Sequence, residues 1–330
     1  MKAQIITQFG DPSVLTLSTV DKPELQPGHV IIKVHATSVN QVDCKIRSGA
    51  VGALAPDFPA ILHGDVAGII DAVASDVSQF KTGDEVYACA GGLKGTQGAL
   101  AEYMLADAKL VAKKPRALSM REAAALPLVS ITAWEALFQR AHLTAEHTIL
   151  IHGGVGGVGH IAVQLARAIG AKVFATVTSN EDFITAFALG SDAVINAKEE
   201  SVEQYLERLT NNKGFDIVFD TVGGPNLDKS FQAAKTHGCV VTTAARSTHD
   251  LSPMHGKALS LHVVFMLLPI LQNQNRAEHG KILMELAALA DKGKIKPLID
   301  PHLFTLETAS AAHALLESGK ALGKVVISIV

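Results

Sequence analysis

Apolar positions in the first 118 residues come in short runs separated by turn signals. Val30–Val34, Ala67–Val73 and Glu85–Ala88 read as strands, punctuated by Pro27-Gly28, Gly49, Gly52, Gly83-Asp84 and Gly91-Gly92. No regular strand–helix alternation is visible there, so this part is predicted to be mostly β. Ser119–Leu137 reads as helix and linker. Ser119 with Glu122 three residues on forms a capping box, Pro127 interrupts the pattern, and a second helix is expected around Thr132–Arg140. From Thr148 the pattern becomes regular. Strands at Ile149–Ile151, Lys172–Thr178, Ala193–Asn196, Asp216–Thr221 and Val240–Thr243 alternate with helices near Ile161–Ile169, Asp182–Leu189, Val202–Leu209 and Leu227–Ala234. Such alternation implies a parallel sheet with right-handed crossovers. Val263–Leu267 could add a sixth strand at the edge.

The tail predicts a helix near Lys281–Lys292 stopped by Gly293. A second helix follows near Thr308–Ser318, capped by Thr305 or Thr308 and stopped by Gly319, then a strand within Lys324–Val330. The simplest partner for that last strand is the N-terminal β region. The fold class is therefore α/β, with a discontinuous β domain (1–120 and 269–330) around a parallel-sheet domain (121–268).

Glycines cluster where the alternation begins. Gly153, Gly154, Gly156, Gly157 and Gly159 follow an aliphatic strand and precede a helix with Val158, Ile161, Ala162, Leu165 and Ile169 on one face. Gly154, Gly156 and Gly159 satisfy G-x-G-x-x-G in the setting its mechanism needs. The first glycines let the backbone turn and approach a pyrophosphate, the last lets helix and strand lie close, and the helix N-terminus offers N–H groups to phosphate.

Composition narrows the partners. With 330 residues two domains are the natural expectation. The net charge of −3 gives no electrostatic case for nucleic acid or an anionic membrane. The longest apolar run, Val263–Leu271, is too short to span a bilayer and contains Pro269. Met1–Gly10 lacks the basic start and apolar core of a secretion signal. Cys44, Cys89 and Cys239 are odd in number and far apart, which fits a reducing, cytoplasmic setting. The edge run Leu261–Leu271 predicts a homodimer or homotetramer, because an uncovered apolar edge strand is a pairing hazard.

Three polar residues near the first long strand are candidates for chemistry. Asn40 closes an apolar alternation, either as a turn residue bonding its own backbone or as a donor to a substrate oxygen. Asp43 and Arg47 lie four apart, so they could pair on one helical turn or orient substrate. No Ser–His–Asp order and no close carboxylate pair suggests hydrolysis.

Several segments in order resemble the medium-chain dehydrogenase/reductase superfamily, and within it the zinc-independent quinone oxidoreductases, the zeta-crystallin-like group. They are Ser38-Val39-Asn40-Gln41-Val42-Asp43 with Arg47, Gly64-Asp65-Val66-Ala67-Gly68, Gly83-Asp84-Glu85-Val86, Leu150–Gly159, Phe219-Asp220-Thr221-Val222-Gly223-Gly224 and Gly323-Lys324-Val325-Val326. The resemblance covers nearly the whole chain. It implies a GroES-like catalytic domain plus a Rossmann domain, with the active site in the cleft between them. It implies Asn40, Asp43 and Arg47 as catalytic residues. For the cofactor it implies Gly154, Gly156, Gly157, Val158, Gly159, Thr178, Ser179, Asn180, Asn196 and Val222, together with Thr132, which either lies near the nicotinamide or packs under the glycine loop. Where zinc-dependent members place a Cys, a His and a second Cys, this chain has Asn40, Gly64 and Leu128, so no metal is expected. His63 lies one place away, and one histidine makes no zinc site.

The activity so implied is NAD(P)H-dependent reduction of a small quinone or enone. An enoyl-thioester reductase shares this fold, and a non-catalytic crystallin-like or RNA-binding protein is the rival from another class. NADPH is expected over NADH, since the second Rossmann strand ends Thr176-Val177-Thr178-Ser179-Asn180 with no acid for the ribose hydroxyls. NADH remains possible, because the positions where NADPH-preferring relatives place a cation and a Tyr hold Asp182 and Ala197, and Lys198 and Arg246 are only substitutes.

Overall fold

The computed structural model describes all 330 residues. The chain divides into two compact units, Met1–Leu128 with Leu267–Val330, and Val129–Met266.

In the first unit the strands are β1 (Lys2–Ile5), β2 (Thr16–Thr19), β3 (His29–Val39), β4 (Asp65–Val73), β5 (Glu85–Cys89), β6 (Tyr103–Asp107) and β7 (Val111–Lys113), with β14 (Phe304–Thr305) and β15 (Val325–Ser328) from the tail. The main sheet runs β14-β15-β3-β4-β5-β7, with β6 also paired to β3. β3 is the spine: eleven residues, mostly buried, with register shifts against β4 between Ile31 and Ile32 and between Val34 and Ala36. Gly68 allows the two strands to close, since a Cβ there would lie 2.1 Å from the Lys33 carbonyl oxygen. The final strand finds its partner in β3, antiparallel, with Val325 opposite Val39. Helices α1 (Gln41–Arg47), α2 (Met120–Ala124), α9 (Leu268–Leu271), α10 (Arg276–Asp291) and α11 (Ala309–Glu317) complete this unit.

The second unit holds a six-stranded parallel sheet in the order β10-β9-β8-β11-β12-β13. Its strands are β8 (Thr148–His152), β9 (Lys172–Val177), β10 (Ala193–Asn196), β11 (Phe215–Asp220), β12 (Ala234–Thr242) and β13 (Ser260–Val263). This is the doubly wound 3-2-1-4-5-6 order, with the switch point between β8 and β11. Helices α3 (Pro127–Trp134, which starts at the unit boundary), α4 (Gly159–Ala168), α5 (Asp182–Ala188), α6 (Val202–Thr210), α7 (Pro225–Ala233) and α8 (Ser252–Lys257) accompany it. Leu150, Phe174, Val218, Tyr205, Phe215 and Phe231 form a buried cluster under α6 and α7.

Pro127 stands at the expected break, and two other local expectations are corrected. α2 ends at Ala124 and Pro127 opens α3, where its missing N–H costs nothing. The segment expected as a second helix from Thr132 is the end of α3 followed by a π-helical turn over Glu135–Arg140. The sixth strand lies at Ser260–Val263 rather than Val263–Leu267, because β12 pairs Cys239 with Ser260 and Thr242 with Val263. Past it, Leu268–Leu271 coils into α9 with Pro269 in its first turn.

Candidate functional site

In the second unit the glycine loop is braced from below. The Gly153 N–H donates to Thr176 Oγ1 at 3.1 Å, and the Gly154 N–H to the Thr176 carbonyl at 2.9 Å. Thr221 Oγ1 donates to the His152 carbonyl at 2.6 Å. Side chains are excluded at the turn. A Cβ on Gly154 would lie 2.6 Å from Ala175 Cβ, and one on Gly159 would lie 2.0 Å from the Gly153 carbonyl oxygen. Gly153 itself has φ 71°, a left-handed conformation. α4 begins at Gly159 after Val158, and no side chain caps it. No side chain competes with an anion there, although the His160 N–H already donates to the Gly156 carbonyl at 3.0 Å. The loop fits a dinucleotide phosphate on this ground: a cradle that any Cβ would fill, ending on an uncapped helix start.

The other residues implied for the cofactor lie in the same unit. Val222 is exposed and close to the loop, 3.6 Å from a Cβ built on Gly153. Past β9, Thr178 is exposed and Ser179 donates to Asp182 Oδ2 at 3.0 Å. Asn196 Nδ2 donates to Asn180 Oδ1 at 2.9 Å, and Asn180 Nδ2 donates to Glu199 at 3.3 Å. Glu199 is thus an acid that sequence reading missed. It reaches the end of β9 from the loop after β10, not from its own strand. Thr132 is buried in α3. Under the loop, burial pulls the His152 imidazole down to about 4, against the opposing pull of Asp220.

In the first unit Asn40 is the N-cap of α1, and its backbone N–H donates to Asp43 Oδ2 at 2.7 Å. Its side chain is committed as well. Nδ2 donates to Asp65 Oδ2 at 2.8 Å, and Oδ1 accepts from the ammonium of Lys324. Asp65, fully buried, is the hub. It also accepts from Ser38 Oγ at 2.8 Å and from the Leu128 N–H at 2.8 Å, and Lys324 Nζ lies 3.5 Å away. Lys324 Nζ further donates to the Val39 carbonyl at 3.2 Å. Burial pushes the Asp43 carboxyl up to about 7, with the Asp65 charge adding to it, while the Asn40 N–H and Lys324 work the other way. Burial lowers the Lys324 ammonium, and Asp65 and Asp43 oppose that shift.

Asp43 and Arg47 do not pair. Asp43 folds back to the start of α1, whereas the Arg47 guanidinium donates to the Gly10 carbonyl at 2.6 Å and to the Glu317 carboxylate of α11. Arg47 is 1% exposed, and both of these bonds tie α1 to its neighbours. The structure thus brings together Asn40 and Asp43 but separates Arg47 from them.

His63 is accounted for by a directional chain. Thr37 Oγ1 donates to the Asp65 carbonyl at 2.6 Å, so it accepts from His63 Nδ1–H at 3.2 Å. His63 Nε2 must then accept from His313 Nε2–H at 2.8 Å, and His313 Nδ1 accepts the Cys44 thiol at 3.5 Å. This tautomer assignment follows from the network. Burial holds both imidazoles in the neutral form, His313 at about 3 and His63 well below its usual range. Asp65, Lys324 and His313 are the residues sequence reading missed. The first two sit inside segments that carried the resemblance, but their mutual pairing has no sequence signal.

Comparison with known proteins adds two family matches. Residues 26–116 match the alcohol dehydrogenase GroES-like domain, and residues 189–327 match the zinc-binding dehydrogenase family. The 2-methylene-furan-3-one reductase of Solanum lycopersicum is 36% identical over 99% of this chain and 79% of its own length. An alcohol dehydrogenase superfamily protein from Novosphingobium aromaticivorans superposes with TM-score 0.95 at 40% identity, covering both chains fully. Escherichia coli quinone oxidoreductase complexed with NADPH superposes with TM-score 0.88 at 28% identity, covering 99% of this chain and 100% of the other. The zinc in one family's description does not fit these residues. No three His, Cys, Asp or Glu side chains are arranged to hold a metal ion, and a buried ammonium already bonds Asn40.

Proposed function

The chain belongs to the medium-chain dehydrogenase/reductase superfamily, quinone oxidoreductase-like, and from that premise we propose that it is an NADPH-dependent reductase of quinones and α,β-unsaturated carbonyls that works without a catalytic metal. It is an oxidoreductase with a GroES-like domain and a Rossmann-like parallel sheet. The observation that carries the reading is the glycine cradle, where the Ala175 methyl takes the space of a Cβ at Gly154, backbone takes it at Gly159, and no side chain caps α4.

Bound nicotinamide cofactor supplies a hydride at C4, and the protein supplies position and field. The glycine loop and the α4 start would hold the phosphates, and Val222, Thr178, Ser179 and Asn180 would contribute to the rest of the cofactor site. Thr132 and Asn196 complete the cofactor set. A hydride added to a conjugated carbon sends the displaced electron pair to the carbonyl oxygen. The enolate or hydroquinone anion then takes a proton from water, so no strong acid is required of the chain. Oxidising a simple alcohol would instead need a metal or base for the hydroxyl proton. Asn40 is the proposed donor to the charged oxygen: an amide has two N–H bonds, and Asp65 uses one. Asp43 holds the backbone of Asn40.

The preference for NADPH rests on the missing acid at the end of β9. Glu199 beside Asn180 works against a 2′-phosphate, so the preference is expected to be small. The edge position of β13, with Val263 and the nearby Phe265 and Leu268 exposed, supports a homodimer. No helix is long and apolar enough to cross a membrane, and a cytoplasmic location is proposed from the three free thiols.

The test is oxidation of NADPH and NADH with quinones, enones, enoyl thioesters and aldehydes. Turnover with quinones or enones and a higher kcat/KM for NADPH are expected; inertness toward every acceptor would refute the reading. Asn40→Ala should lower kcat about tenfold, below the roughly 100- to 1000-fold seen when a sole oxyanion donor is removed. Cofactor affinity by fluorescence titration should stay within twofold. Unchanged kcat would return Asn40 to a purely structural cap.

A further inference from the structure

We propose that Lys324 is a positioning residue for the reduction, a buried cation that, together with Asp65, holds the side-chain amide of Asn40. Two of the three positions that correspond to metal ligands bond one carboxylate here. Asn40 Nδ2 and the Leu128 N–H each reach Asp65 at 2.8 Å, on opposite oxygens. Gly64 adjoins Asp65, and the space of its missing Cβ is taken by Cys89 Sγ, 2.9 Å away. Onto this carboxylate comes the Lys324 ammonium at 3.5 Å, from the segment that opens β15. A divalent cation here would face an ammonium and lack thiolate or imidazole ligands.

The Lys324 ammonium has three N–H donors and no acceptor. In the structure they face the Val39 carbonyl, Asn40 Oδ1 and Asp65. An ammonium bonds only the oxygen end of an amide, and a carboxylate only the nitrogen end. Lys324 and Asp65 together therefore fix which way the Asn40 amide faces. The cation also polarises the amide from its carbonyl end, and chains of hydrogen bonds strengthen one another in a low-dielectric interior. The remaining N–H of Asn40 becomes a better donor to an oxygen that is gaining negative charge. This inference rests on the reductase reading in giving that N–H a substrate oxygen to meet.

Lys324→Met keeps the length of the side chain and removes its charge and donors. Its kcat is expected to fall at least tenfold with the KM for NADPH within twofold, and Lys324→Arg should recover a substantial part. Because the single variant leaves a buried carboxylate without its cation, Asp65→Asn/Lys324→Met serves as the neutral pair. The pair is expected to regain thermal stability and not turnover. Wild-type turnover in either methionine variant would overturn the proposal, since the lysine would then only balance charge. A second readout needs no activity: the Asn40 side-chain amide signal in protein labelled at asparagine nitrogen, identified by its loss in Asn40→Ala. It should shift and exchange faster with solvent once Lys324 is replaced; an unchanged signal would overturn the proposal. Inertness of the wild type toward all acceptors refutes the reductase reading instead, and the amide signal still decides whether Lys324 holds Asn40.

Discussion

Asp65→Ala is expected to destabilise the first unit by about 3–5 kcal/mol, the range for removing one partner of a buried ion pair. The carboxylate is fully buried and takes four donors: Ser38, Asn40, Leu128 and Lys324. Alanine leaves the Lys324 ammonium, itself 2% exposed, with only the neutral oxygens of Val39 and Asn40. Water is not available to replace the lost charge, so the cost is that of an uncompensated buried cation, not of one hydrogen bond. Asp65→Asn should recover part of the loss through its amide oxygen. Differential scanning calorimetry is the measurement. Because the chain has two compact units, separate transitions are expected, with the shift confined to one of them. A loss below about 1 kcal/mol would mean that solvent enters the site freely.

Gly159→Ala is expected to weaken NADPH binding at least tenfold. Its Cβ would lie 2.0 Å from the Gly153 carbonyl oxygen and 2.8 Å from the carbonyl carbon, both backbone atoms. No rotamer change can relieve a Cβ clash, so the loop must move away from α4. That movement displaces the N–H groups proposed for phosphate. Overpacking of this kind costs about 1–3 kcal/mol of stability, so some loss of melting temperature will accompany it. The discriminating readout is the cofactor's own stabilisation. A ligand at a hundred times its Kd stabilises by about 2.7 kcal/mol. The wild type should show a thermal shift of that origin with NADPH, and the variant little or none at the same concentration. Equal shifts in both would place the phosphate elsewhere.

The parallel sheet was legible in the sequence because its signal is local. Each βα step carries an apolar run, a break and a helical face, and the six strands from β8 to β13 were read in their order. The edge was misplaced by a few residues because the apolar run continues through Val263 into α9, and only pairing with β12 settles where the strand stops. The glycine loop was legible for the same local reason. The buried polar site of the first unit was not. Asn40 was picked out, but its partners Asp65 and Lys324 lie 25 and 284 residues away. Nothing near His63 in the sequence signals that its nitrogen meets His313, 250 residues on. Arg47 shows the opposite failure: spacing offered Asp43 as a partner, and tertiary packing supplied Glu317.

The split of the first unit across the chain has a consequence for synthesis. β3 leaves the ribosome early, yet Val39 waits for Lys324, 285 residues later, and Val325 opposite it completes the sheet. At about 5–20 residues per second, that interval is roughly 15–60 s. Throughout it the apolar spine of β3 lacks one neighbour and Asp65 lacks its cation. The intervening segment Val129–Met266 is meanwhile complete and contiguous. Nascent chains halted before Lys324 should therefore carry a protease-resistant parallel-sheet unit, together with an open strand that attracts chaperones.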